Sequence, residues 1–354
     1  MKSWLTEERE AHLLGLLRVA FSILLLLLTV RMAREAWPDR YFGDIFHMPL
    51  LPQGFVLGQR AYCALLALQA LGSVLALLGV LARPALLMAS LCGLYGFFCD
   101  RLHYHNNRYE LLLLTLLVSL TPCDRSFLLF GGTRLGTAPR WAARLVGAQL
   151  VIVYLASSLG KLFDADWRGG TVLLSRFALG KPFAEHYLGS GAVQLLSAPW
   201  FAQAAAIAAI SSELFLAIGL WLPRTRVLCL WLGVMFHLGI ELSARVELFS
   251  HTMLCGYLVF VTPELRERSL SWNARTSAGQ MLGRLCARLD FLARFRHEQV
   301  DRQATLLVAR DRAGTVHSGL SAWRELARAT PLLFPLWLPL LLLTWRQRRG
   351  STWR

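Results

Sequence analysis

The stretch VIVYLASSLGKLFDADWRGG, residues 151–170, runs an apolar helical pattern straight into Lys161, Asp164, Asp166, Trp167 and Arg168 and ends on a Gly-Gly break. An ionisable side chain inside a bilayer costs roughly 2.5–3.5 kcal/mol on insertion scales, so one retained there is a functional candidate. Lys161, Glu213, His237 and Glu241 are the best such cases. Burial disfavours the ammonium form, the condition under which a lysine serves as a base near neutral pH. Near the end of a span the same side chain can instead snorkel to the headgroups. His237 and Glu241 stand at i, i+4 and share a helix face, within hydrogen-bonding reach of each other. Catalysis and helix-to-helix adhesion are both open to that pair. Asp164 and Asp166 either cap the turn or pair with Arg168 and Arg176. Adding His103, His105 and His251 enlarges the donor set without any spacing specific to a metal, and no metal is expected.

Positioning these residues falls to apolar helices. Eight spans are predicted, at residues 13–30, 61–81, 84–99, 111–120, 145–162, 200–222, 227–242 and 248–261. The turn Ala82-Arg83-Pro84 is short enough to force an antiparallel hairpin. A polar cluster, Asp100, Arg101, His103, His105, Asn106, Asn107, Arg108 and Glu110, opens the fourth span. Arg18 sits about a turn from the edge of the first span and reads as a snorkelling residue. Residues 31–60 form a structured loop with prolines, and the stretch holding Arg176, Lys181-Pro182 and His186 is too polar to span. Short re-entrant or interfacial helices are expected there.

Bulk properties agree with a membrane bundle. The 354 residues are 55% hydrophobic and 17% charged, against about a quarter charged in soluble domains, with a mean hydropathy of +0.46. The net charge of +15 comes chiefly from arginine, and sixteen arginines follow Val261. A basic tail behind a bundle of spans marks the cytoplasmic side, so no nucleic-acid partner is invoked; with eight spans both termini are cytoplasmic and Lys161 lies at the outer face. The seven cysteines are odd in number, form no CxxC pair and mostly sit in apolar runs, where a free thiol is a small hydrophobe.

From about Pro263 the composition turns soluble. Residues 304–309 and 315–318, joined by Asp-Arg-Ala-Gly, predict a β-hairpin, and Ser321 predicts the N-cap of a helix over 322–329. Pro331 to Trp345 is apolar but broken by two prolines, and reads as an interfacial docking segment. The expected class is thus an all-α polytopic membrane bundle over residues 1–262 with a small α+β cytoplasmic segment over 263–354.

Four blocks carry a family resemblance. YLASSLGKLFDADWRGG, HNNRYELLLL from His105, SRF around Arg176 and FHLGIELSARVELFSHTML from Phe236 resemble, in the same order, the vitamin K-dependent gamma-carboxylases and their bacterial relatives, the horizontally transferred transmembrane (HTTM) domain proteins. The resemblance implies a bacterial inner-membrane protein whose embedded lysine, Lys161, deprotonates a reduced naphthoquinone. Reaction with O2 then yields an epoxide and a base strong enough to abstract a proton beside a carboxylate before CO2 adds. It implies that His237 assists and that Asp164, Asp166, Trp167, Arg176, His105, Asn106, Asn107, Glu213 and Glu241 shape the substrate site. In the animal enzyme the base stands two residues before the first aspartate; Lys161 stands three before Asp164, and one residue is about 100° on a helix. The large domain that binds propeptide and substrate in that enzyme has no counterpart here.

LLVARDRAGTVHSGLSAWRELARATPLLFPLWLPL, in the tail, resembles the C-terminal half of a DCC-type thiol-disulfide oxidoreductase, a thioredoxin-like module. Cys286 stands alone, with no partner three residues away and no apolar strand expected in front of it, which implies a degenerate module. Two functions follow: a carboxylase- or epoxidase-like enzyme acting on a lipid-soluble or membrane-associated substrate, or a non-catalytic scaffold, sensing or immunity-type protein that docks a partner through its basic tail.

Overall fold

A computed structural model describes residues 4–36, 41–43, 46–100, 105–128, 136–243, 246–262, 265–301 and 305–351. His103 lies outside them, as do Arg101 and residue 304 of the expected hairpin. The chain divides into two compact units, Met1–Thr262 and Pro263–Arg354.

The first unit is helical because a chain surrounded by lipid must satisfy its backbone hydrogen bonds internally. It comprises β1 (Glu8–Glu10), α1 (His12–Ala36), α2 (Gln59–Leu78), α3 (Ala82–Phe98), α4 (Asn106–Ser119), β2 (Thr137–Pro139), α5 (Arg140–Phe163), α6 (Ala165–Gly169), α7 (Thr171–Leu188), α8 (Ser190–Leu196), α9 (Pro199–Gly219), α10 (Arg226–Ser243) and α11 (Phe249–Gly256). Among the described residues four of these, α1, α2, α5 and α9, are long and apolar enough to cross a bilayer; α3 and the helical run Phe249–Phe260 are apolar but shorter. β1 pairs antiparallel with β2, tying the chain before α1 to the start of α5.

Two expectations fail here for stated reasons. Arg18 does not snorkel: it is fully buried and its guanidinium donates to the carbonyls of Cys123 (2.9 Å), Ser126 (3.2 Å) and Phe127 (2.6 Å). The carbonyls of a turn packed against a helix need donors, and one planar fork supplies three. The polar stretch after the Gly-Gly break is not a set of short helices: α7 runs 18 residues straight through Pro182. α7 packs against both α9 and α10.

The second unit has a four-stranded sheet in the order β4-β3-β5-β6, formed by β3 (Arg268–Asn273), β4 (Phe295–Val300), β5 (Leu307–Arg310) and β6 (Val316–Ser318). β3 and β4 are parallel, joined by α12 (Ser277–Leu289), while β5 runs antiparallel to both β3 and β6. The β5–β6 hairpin turns on Asp311, whose carboxylate accepts from the Thr315 amide at 2.9 Å. The helix α13 (Leu320–Ala329) starts from Gly319 rather than Ser321, and Pro331–Leu336 leads as a 3₁₀ turn into α14 (Trp337–Ser351). Leu270, Phe295, Leu307 and Ala309 of the sheet enclose a core with Leu282, Cys286, Ala322 and Leu326 of the helices. Contrary to expectation, a strand does precede Cys286: in RSLSWN alternate residues Arg268, Leu270 and Trp272 are buried. So short an alternation, diluted by serines and arginine, does not read as apolar.

Candidate functional site

α5 builds the site. Its buried stripe is Ala142, Val146, Leu150, Tyr154 and Ser158, and Ser157 and Lys161 flank that stripe. Ser158 ties α5 to α9 by donating to the Ile210 carbonyl at 2.9 Å. At the C-terminus of α5 the chain turns through α6, where the Asp164 carboxylate accepts from the amides of Asp166 (2.8 Å) and Trp167 (3.3 Å). That is an N-cap. Gly170 then adopts φ +81°, and a Cβ there would lie 2.4 Å from the Gln203 amide nitrogen, so only glycine lets the turn through α6 seat on α9.

That turn and α9 together decide the direction of Lys161. Its side chain points inward, donating to Glu213 Oε1 at 2.5 Å and to Ser157 Oγ at 2.8 Å, with Nζ 4.8 Å from the centre of the Trp167 ring. Ser157 also donates to Glu213 Oε1, at 3.2 Å. The Lys161 side chain is 16% exposed and that of Glu213 2%. The snorkelling alternative is thereby corrected: a carboxylate fixed inside the bundle attracts the ammonium more strongly than headgroup water does.

A second cluster lies two helical turns away on α5, about 10 Å along the axis. The Tyr154 hydroxyl is 2.7 Å from His237 Nε2 and 2.5 Å from the Tyr257 hydroxyl, and all three residues are buried. Gly233 makes the room: a Cβ there would fall 2.0 Å from the Tyr257 hydroxyl. Among the described residues His237 Nδ1 and Glu241 Oε2 are buried without hydrogen-bond partners, as is Glu213 Oε2. The hydrogen bond that the His237–Glu241 spacing allowed does not form: His237 Nε2 meets Tyr154, while Nδ1 and Glu241 Oε2 stay unpaired among the described residues. Three buried polar atoms without partners are a departure from the satisfaction normal to protein interiors.

The other predicted site residues divide. Trp167 belongs to the Lys161 cluster through its ring, whereas Asp164 and Asp166 are exposed. Arg168 donates to the Leu162 carbonyl at 2.7 Å, and Arg176 is exposed on α7. His105, Asn106 and Asn107 stand at the start of α4 beside a separate network. There Arg108 makes a forked pair with Glu35 (2.8 and 3.0 Å) and meets Glu247 at 3.4 Å, and Glu247 also pairs with Arg31. A cavity of about 10 Å³, room for about one water, adjoins that network among Met32, Glu35, Tyr41, Tyr62 and Arg108. It is not the site of the lysine. Among the described residues no three His, Cys, Asp or Glu side chains converge as metal ligands would.

Sequence reasoning overlooked Tyr154, Ser157 and Tyr257. The first two were detectable, since Tyr154, Ser157, Ser158 and Lys161 fall at i, i+3, i+4 and i+7, one face of a helix. Tyr257 follows no such spacing, and only the packing of the 3₁₀ turn Tyr257–Phe260 against α5 brings it in.

Neither a curated protein nor a solved structure matches the chain significantly. Residues 7–265, the whole helical unit that carries both clusters, match the model of the HTTM domain. That is the family of vitamin K-dependent carboxylase-like membrane proteins, and the chain is an integral membrane protein belonging to it.

Proposed function

We propose that the helical unit is a carboxylase-like membrane enzyme that uses a reduced naphthoquinone on a lipid-soluble or membrane-associated substrate. The observation that carries the reading is the inward Lys161–Glu213 pair, together with three buried polar atoms that lack hydrogen-bond partners among the described residues: Glu213 Oε2 in that pair, and His237 Nδ1 and Glu241 Oε2 on α10. Unpaired buried polar atoms cost free energy unless something pairs with them, and the hydroxyl groups of an apolar bicyclic molecule are donors that suit carboxylate oxygens. When bound, a reduced naphthoquinone supplies the reducing power and, with O2, the strong base for proton abstraction that precedes CO2 addition. Lys161 Nζ receives a hydroxyl proton after passing its own to Glu213 Oε1, a transfer that the 2.5 Å contact permits. Ser157 and the Trp167 ring hold Nζ in place throughout. Tyr154, His237 and Tyr257 form a hydrogen-bonded set able to hold or hand on a second proton.

Eight membrane crossings, both termini in the cytoplasm and a bacterial inner membrane belong to the same proposal. The second unit, a parallel β3–α12–β4 segment followed by an antiparallel pair and a helix, supports a DCC-like module that has lost its redox chemistry, because Cys286 lies mid-helix and is 1% exposed. A specific observation favours a second reading. Lys161 already has a carboxylate, a hydroxyl and an aromatic ring around it, as in a purely structural pair, which suits a scaffold, sensing or immunity-type protein.

Menadiol binding to the purified full chain separates the two. The enzyme reading expects saturable quenching of tryptophan fluorescence by menadiol, weakened at least about tenfold in His237→Ala. It also expects Lys161→Ala to keep binding while losing O2-dependent menadiol oxidation. No saturable binding, or unchanged oxidation in Lys161→Ala, refutes it in favour of the scaffold.

A further inference from the structure

The second unit presents one helix face that its own core does not use. α12 turns Gly279, Leu282, Gly283 and Cys286 inward. Its opposite stripe holds Met281, Arg284, Leu285 and Arg288, at i, i+3, i+4 and i+7, all exposed. Met281 is 71% exposed and Leu285 51%; Phe291, just past the helix, is 48% exposed. Arg275 is also exposed, ahead of the helix, and α12 itself contains no acidic residue. An isolated exposed leucine is unremarkable. Large apolar side chains interleaved with arginines along one stripe have the composition of a helix that lies in a membrane interface.

Charge and tethering select the occupant. A second copy of the same face would set Arg284 and Arg288 against like charges. The unit is covalently continuous with a membrane domain, so headgroups are present at high effective concentration and a weak surface affinity suffices. We infer that the outer face of α12 rests on anionic lipid headgroups. Arg275, Arg284 and Arg288 meet phosphates there, and Met281, Leu285 and Phe291 enter the boundary between headgroups and acyl chains.

Hydroxyl-radical footprinting of the full chain in nanodiscs tests this, comparing phosphatidylcholine alone with phosphatidylcholine plus phosphatidylglycerol. Oxidation of Met281 and Phe291 is expected to fall about fivefold or more in the anionic discs, as each arginine engaged favours the surface by about that factor. High salt, which screens exposed charges, and Arg284→Ser/Arg288→Ser should each restore it. Unchanged protection of Trp272 and Leu282 shows that the variant unit is folded. Equal oxidation in the two disc types overturns the inference. So does protection that follows protein concentration rather than lipid charge, which would assign the face to a second copy.

Discussion

Replacing Glu213 with glutamine removes the carboxylate charge beside Lys161 while keeping shape and a hydrogen-bonding end. Lys161 is then left with Ser157 Oγ at 2.8 Å and the Trp167 ring, neither of which carries a charge. Breaking a buried ion pair from one side costs about 3–5 kcal/mol, most of it the burden of the surviving charge. The Lys161 side chain retains 16% exposure and can swing toward the headgroups, so a lower figure of about 2–3 kcal/mol is expected for Glu213→Gln. Lys161→Met strands a carboxylate that is only 2% exposed, and the full 3–5 kcal/mol or so is expected there. At roughly 2–4 °C per kcal/mol for a unit of this size, the unfolding midpoint should drop by about 4–12 °C for Glu213→Gln and further for Lys161→Met. Glu213→Gln/Lys161→Met combines the two changes, leaves neither charge without its partner, and should cost at least about 2 kcal/mol less than the two single costs added together. Differential scanning fluorimetry in detergent reads all four corners of the cycle. Costs that simply add in the double variant would show that the two side chains are not coupled and refute the geometry on which the site rests.

Two further outcomes follow from groups outside that pair. Arg18→Leu strands the carbonyls of Cys123, Ser126 and Phe127, at about 1–3 kcal/mol each; size-exclusion chromatography should show little folded protein, with Arg18→Lys only partly better because an ammonium lacks the fork, and normal yield of Arg18→Leu would overturn that role. Burial, reinforced by the Asp290 carboxylate, pushes the Cys286 thiol up to about 11. The group stays protonated below that pH, so peptide-resolved iodoacetamide labelling of the native chain should be very slow at pH 8 and climb about tenfold per pH unit toward 10. Fast labelling at pH 8 would show a reactive thiol and revive a redox role for the second unit.

Leucine runs of membrane length and a 17% charged fraction forced helices on the first unit, and the i, i+4 spacing already placed His237 and Glu241 on one helix face. Those are local consequences of hydropathy and helical period, which act within one segment. The partners were not local. Glu213 meets Lys161 across 52 residues, Tyr257 meets Tyr154 across 103, and Arg18 reaches carbonyls 105 to 109 residues on. Each such contact depends on which helices become neighbours, and that choice is made by small residues such as Gly170 and Gly233 admitting close approach. The strand Arg268–Asn273 was hidden for the same kind of reason, its alternation too short to register until β4 and β5 paired on either side of it. Sequence alone therefore determined the membrane class and the ionisable groups capable of chemistry, Lys161, Glu213 and His237, but not Tyr154, Ser157 or Tyr257 beside them. Tertiary packing decided which way Lys161 points and what it holds, because the direction of a flexible side chain is set by the charge it finds across the bundle.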